Sequence, residues 1–292
     1  MGAHVSPGTS AAELSAVLAA LHLTACCCPC TDGCDTGCDP SVCSPDIPAA
    51  PVAPVGPEVD LGIAPYPPGT PTVSPASYRW TARDLNPNRY KAGYALSSEE
   101  ARKVQAALDA FARKVQYRPI NDTSFTWVPP ANCEDDMRCV FADMYRSNRD
   151  DVRALAARFK NRVAEANLDA MRAASLVVSF VQAVRYEIPK EEPFGILPPA
   201  LVLSQQRGDC DSKAFLAQMI LHELGIESML ISSQAHKHTM LGIALPVQGT
   251  TFTYGGTRYA FTECTAEGSP IGHVNAELLH PNDWKAVPVD LR

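Results

Sequence analysis

The segment 207–225, RGDCDSKAFLAQMILHELG, constrains this chain more than any other. Gly208 permits a tight turn. A helix that starts at or just before Cys210 and runs through Leu224 places Ala214, Ala217, Ile220, Leu221 and Leu224 on one buried face. Gly225 supplies the stop. Four short runs follow, Ser228–Ser232, His238–Pro246, Thr251–Tyr254 and Tyr259–Cys264, and read as strands. Upstream, Val152, Leu155, Phe159 and Val163 recur at helical spacing, as do Leu176, Val177, Phe180, Val181 and Val184. Residues 149–186 therefore read as two helices or one broken one. Another helix opens at Ser97-Ser98-Glu99-Glu100, with a serine cap and acids at the positive end of the helix dipole, and runs to about Val115. Between these elements lies a proline-bearing loop, 187–200, in which Pro198-Pro199 is expected to be extended. Helices first and a mostly antiparallel sheet second make an α+β fold.

The rest of the chain is organised around that domain. Hydrophobic residues make up 46% and charged residues 20%, enough for a core. The net charge of -7 argues against a nucleic-acid partner, which would need a basic face. Residues 44–77 are dense in Pro, Ala, Val and Gly and read as a semi-rigid spacer, so the folded domain is expected over 78–292. Residues 1–43 form a third unit, with a short apolar stretch at 11–25 and seven clustered cysteines: Cys26, Cys27, Cys28, Cys30, Cys34, Cys38 and Cys43. Leu23-Thr24-Ala25-Cys26 resembles the lipobox of bacterial lipoproteins, which implies lipidation of Cys26 and a membrane-anchored place in the cell envelope. The alternative is an amphipathic helix before a Cys-rich patch, and a cytoplasmic protein. The cluster holds one C-x2-C and one C-x3-C but no following histidine, a poorer fit to zinc than to disulfides. Cys133 and Cys139 flank a short acidic loop and are close enough to pair, with two free thiols as the alternative.

Chemistry concentrates at the helix start. A thiol is a useful nucleophile as the thiolate, and a helix N-terminus lowers its pKa because unsatisfied N–H groups favour negative charge there. Cys210 occupies that position. His238 begins the next long apolar strand, and Glu263 closes the one after it. His236 competes with His238 for the role of base, and Glu267 competes more weakly with Glu263. Strand alternation sends Glu263 and Cys264 to opposite faces, so Cys264 reads as structural. Asp211 and Lys213 read as helix-start and surface residues.

Gly-Asp-Cys-Asp-x-Lys, followed by Ala214-Phe215-Leu216 and His222-Glu223-Leu224-Gly225-Ile226, resembles the nucleophile helix of the transglutaminase-like superfamily. His238-Thr239-Met240-Leu241-Gly242-Ile243, Tyr259-Ala260-Phe261-Thr262-Glu263-Cys264-Thr265 and Gly268-Ser269-Pro270-Ile271-Gly272 resemble its later segments. Ser179-Phe180-Val181-Gln182 and Tyr186 resemble the helix before its active site. The resemblance covers roughly 150–275. It implies a papain-like core and a triad of Cys210 as nucleophile, His238 as base and Glu263 orienting the base. It further implies acyl transfer on peptide or carboxamide bonds through a thioester, as a protease, amidase or transglutaminase, with a protein or peptide substrate. The triad mechanism calls for no cofactor and no metal. The oxyanion hole would use the Cys210 backbone N–H, with Gln182 and Gln206 as candidates for a second donor. The rival is a non-catalytic peptide-binding module on the same fold.

Overall fold

The computed structural model describes residues 56–64, 75–121, 124–131, 133, 137–278 and 280–292. The lipidation candidate Cys26, the seven-cysteine cluster and much of the 44–77 segment lie outside the described residues. Among the described residues, no helix is long and apolar enough to cross a membrane.

The architecture is mixed α+β. The first sheet has three strands, β1 (Val59–Ala64), β2 (Ala76–Thr81) and β3 (Arg89–Tyr94), in the order β1-β3-β2. The first pair is parallel and the second antiparallel. This corrects the expected domain boundary at residue 78: β1 falls inside the proline-dense stretch and yet buries Leu61 and Ala64 in the core. Helix α1 (Ser98–Lys114) carries a full capping box, in which the Ser97 hydroxyl accepts from the Glu100 N–H and the Glu100 carboxylate accepts from the Ser97 N–H. A small hairpin, β4 (Arg118–Asn121) and β5 (Ser124–Thr126), leads on. A disulfide between Cys133 and Cys139 then ties the preceding loop to the first turn of α2 (Arg138–Glu165). A break containing Asn167 at φ 49° separates α2 from α3 (Ala170–Gln182), whose cap is Asp169.

The 187–200 loop differs from expectation at its end. Two-residue strands β6 (Arg185–Tyr186) and β7 (Arg207–Gly208) pair in parallel, and α4 (Pro199–Gln205) lies between them. Pro199 is not extended but sits in the first turn of α4, where its missing N–H costs no helical hydrogen bond. Helix α5 (Cys210–Glu223) follows, and Gly225 at φ 74° closes it. The second sheet contains β8 (Ser228–Ser233), β9 (His238–Ile243), β10 (Thr251–Tyr254), β11 (Thr257–Thr262) and β12 (Lys285–Val287). Its order is β10-β11-β9-β8-β12, with every neighbouring pair antiparallel.

Helix α5 is the centre of the molecule. Every residue from Ser212 to Leu221 is buried, because α2, α3 and α4 pack around the helix and β8 and β9 close the remaining side. A helix apolar on all faces is a buried helix, and each fully buried Leu, Ile, Phe or Met contributes about 1.5–3 kcal/mol. The second sheet separates two cores by strand alternation. Leu230, Leu241, Ile243 and Cys264 face the main core with α5, whereas Met229, Ile231, Met240, Tyr259 and Phe261 face a smaller one capped by Trp284.

Candidate functional site

Cys210 is the first residue of α5, held there by a network built on its neighbours. Asp209 caps the helix, its Oδ1 accepting from the Ser212 N–H at 2.9 Å and the Ser212 hydroxyl at 2.5 Å. Ser212 Oγ in turn accepts from the Leu197 N–H at 2.8 Å, which ties the preceding loop to the helix start. Arg207 reaches back to Glu187 at 2.8 Å and also pairs with Glu191. The Cys210 side chain is 2% exposed, and its sulfur is disulfide-bonded. In that state it is no nucleophile, so any thiol chemistry here begins with reduction.

His238 and Glu263 meet. Nε2 of His238 lies 2.7 Å from Glu263 Oε2, and both side chains are largely buried. The other carboxylate oxygen, Oε1, accepts from the Thr265 N–H at 2.7 Å and the Thr265 hydroxyl at 2.6 Å. Burial alone would raise the Glu263 pKa, but His238 and the two Thr265 donors outweigh it and bring it down to about 2. For His238 burial works against the charged form, and the Glu263 carboxylate, with Asp211 and Asp209 behind it, raises the pKa above its ordinary value. A histidine with this partner keeps its proton more readily than one in water.

The competing histidine goes elsewhere. His236 Nε2 lies 3.2 Å from Asp283, and its ring stacks on Trp284 at 5.7 Å. Trp284 also meets the His238 ring edge to face at 6.3 Å, and its indole N–H donates to the Leu278 carbonyl. The positions just after His238, Thr239 and Met240, bring no aromatic, so the wall beside the histidine comes from the C-terminal segment. Cys264 is a fully buried free thiol whose pKa burial pushes far up.

Both oxyanion candidates need correction. The Gln182 amide is 4% exposed, and its Nε2 donates to the Glu263 carbonyl at 2.8 Å and the Ser269 carbonyl at 3.0 Å. Its Oε1 accepts from the Gly268 N–H at 3.0 Å. With both N–H bonds committed, Gln182 is a clamp on the loop that carries the acid, not an anion donor. Gln206, at φ 57° at the end of α4, turns its amide to the Ser77 carbonyl at 2.7 Å and ties α4 to β2.

Asp211 and Lys213 were expected at the surface of the helix start, but the structure buries Lys213 and leaves Asp211 only partly exposed. Lys213 is 0% exposed, and its Nζ donates to the carbonyls of Val184 at 2.6 Å and Gln182 at 3.2 Å. Burial lowers its pKa to about 8, against the opposing pull of Cys264, Glu263, Glu267 and Asp209. Asp211 accepts from the Thr239 hydroxyl at 2.8 Å, a bond that links the first turn of α5 to the residue after His238. Cys210 and His238 are thus joined through their chain neighbours. The sequence offered no signal for this link beyond the Asp itself, because Thr239 lies 28 positions away.

Among the described residues, Asp209, Cys210 and Asp211 form one cluster whose donor atoms lie within 4.8 Å of one another. Oxygens of both carboxyls are engaged, Asp209 by Ser212 and Asp211 by Thr239, and the sulfur is in a disulfide.

No family model, curated protein or solved structure matches the chain.

Proposed function

We propose that this protein is a cysteine-dependent acyl-transfer enzyme of the transglutaminase-like kind, acting on peptide or carboxamide bonds through a thioester. The observation that carries the reading is the largely buried His238–Glu263 pair at 2.7 Å, in which Glu263 follows β11 and His238 opens β9, the strand packed against the helix that begins with Cys210. A carboxylate that holds a ring nitrogen fixes the imidazole's orientation and stabilises the imidazolium that forms when it takes a proton. With Nε2 committed to Glu263, Nδ1 is the atom that would exchange that proton with the reduced Cys210 sulfur. The thiolate then attacks the carbonyl carbon, and the imidazolium returns the proton to the leaving ammonia or amine. Water or a second amine resolves the thioester, giving hydrolysis or transamidation. The helix N-terminus favours the thiolate throughout.

The test uses the full-length chain, reduced with a phosphine. Iodoacetamide alkylation of Cys210 is followed from pH 4 to 9 by peptide mass spectrometry, which separates it from the other cysteines. Wild type is expected to react well below the free-thiol pKa of ~8.5, with that advantage lost in His238→Ala and reduced in Glu263→Gln. An ordinary thiol profile, indifferent to His238, would replace the enzyme with the peptide-binding module.

A further inference from the structure

Next to the Cys210 sulfur stands a side chain for which the triad has no role. Asp211 Oδ2 lies 3.7 Å from Cys210 Sγ. Its other oxygen, Oδ1, accepts from the Thr239 hydroxyl at 2.8 Å, and Thr239 Oγ1 lies 3.2 Å from Ser232 Oγ on the adjoining strand β8. The carboxyl group is therefore aimed, with one oxygen held by the sheet and the other turned to the sulfur. A merely helix-stabilising acid in a first turn would make no bond to the sheet, and this one does while only partly exposed.

We infer that Asp211 is a further catalytic residue of this centre, a fixed carboxyl that governs how readily the reduced Cys210 gives up its proton. The inference rests on the thiol chemistry proposed above. A carboxylate at this distance opposes a second negative charge on the sulfur, as like charges at 4–6 Å do. The same charge favours the imidazolium at His238, which it also reaches. Ionised Asp211 thus holds Cys210 in its thiol form, and loss of the Asp211 charge releases the thiolate. When Cys210 does ionise, its proton goes to His238, so no atom is left over. Burial raises the Asp211 pKa and the Thr239 bond opposes that rise, so Thr239 sets how long the charge persists as the pH falls. The other charged or titratable groups that interact with it are Asp209, the cap of α5, and His238 from β9.

The same site-resolved alkylation profile tests this. Asp211→Asn keeps the acceptor for Thr239 and removes the charge, so the apparent thiol pKa of Cys210 should fall by about 1 unit. Asp211→Glu keeps the charge and should stay near wild type. Thr239→Val, nearly isosteric, removes the donor that keeps Asp211 ionised and should shift the profile in the same direction by a smaller amount. It serves alone if the Asn variant fails to fold. Unmoved profiles in the Asn and Val variants, or a shift upward, would overturn the inference. The His238→Ala comparison judges the enzyme reading separately, because the Asp211 charge acts on the sulfur whether or not His238 is its base.

Discussion

Gln182 offers the sharpest test of how the acid is held in place. Its buried amide makes three hydrogen bonds, at 2.8, 3.0 and 3.0 Å, and all three partners are backbone groups of the 263–269 segment. Gln182→Met keeps the length and most of the volume, so it isolates those bonds. A net bond of this kind is worth about 0.5–1.5 kcal/mol, and a buried group left without a partner costs about 1–3 kcal/mol. Some of the freed groups will find water, so we expect a loss of about 2–4 kcal/mol in urea unfolding followed by tryptophan fluorescence. The same substitution frees the carbonyl of Glu263 itself, so the carboxylate that holds His238 gains room to move. Alkylation of reduced Cys210 near neutral pH should slow accordingly. A stability loss below about 1 kcal/mol would refute the hydrogen-bond account. A full loss of stability with unaltered Cys210 reactivity would refute the link from this loop to the site.

Two further outcomes follow from the same geometry. Burial first, and the nearby Asp211 charge second, push the Asp209 carboxyl up to about 7. Between its ordinary value near 3.8 and that point the folded form holds a proton the unfolded chain has lost, so stability should fall as the pH rises through this window. Asp209→Asn retains a good helix cap and should flatten that fall, measured as urea midpoints from pH 4 to 8; parallel curves for the two proteins would contradict the assignment. Trp284→Ala should cost about 3–5 kcal/mol, because it empties the smaller core and strips the wall from His238. A change of less than 1 kcal/mol in the unfolding free energy would show that this segment does not pack as described.

Parts of this protein were legible without a structure because they depend on near neighbours in the chain. The start of α5 at Cys210, its stop at Gly225, the serine cap of α1 and four of the five strands after α5 follow from local spacing and local capping chemistry, whereas β12 gave no such signal. Cys264 was read as structural and the structure buries it in the main core, although β11 ends at Thr262, so strand alternation is not what turns it inward. The proline-dense stretch misled for the opposite reason. Composition suggested a spacer, but β1 is a strand because β3 offers it a parallel edge and the core accepts Leu61 and Ala64.

What spacing along the chain could not decide is which polar side chains end up sealed inside. Lys213 and Asp211 carry charges that local rules send to the surface. The tertiary structure draws Lys213 fully inside and Asp211 partly so, because two carbonyls at and just past the end of α3 need a donor and β9 presents a hydroxyl that needs an acceptor. Gln182 was a fair candidate for an anion donor until the 263–269 loop folded over it and took both of its N–H bonds. Local sequence sets the elements and names the reactive residues. The environment that tunes them is assembled from groups dozens of positions apart, and a buried polar atom is settled only by the partner that the packing delivers.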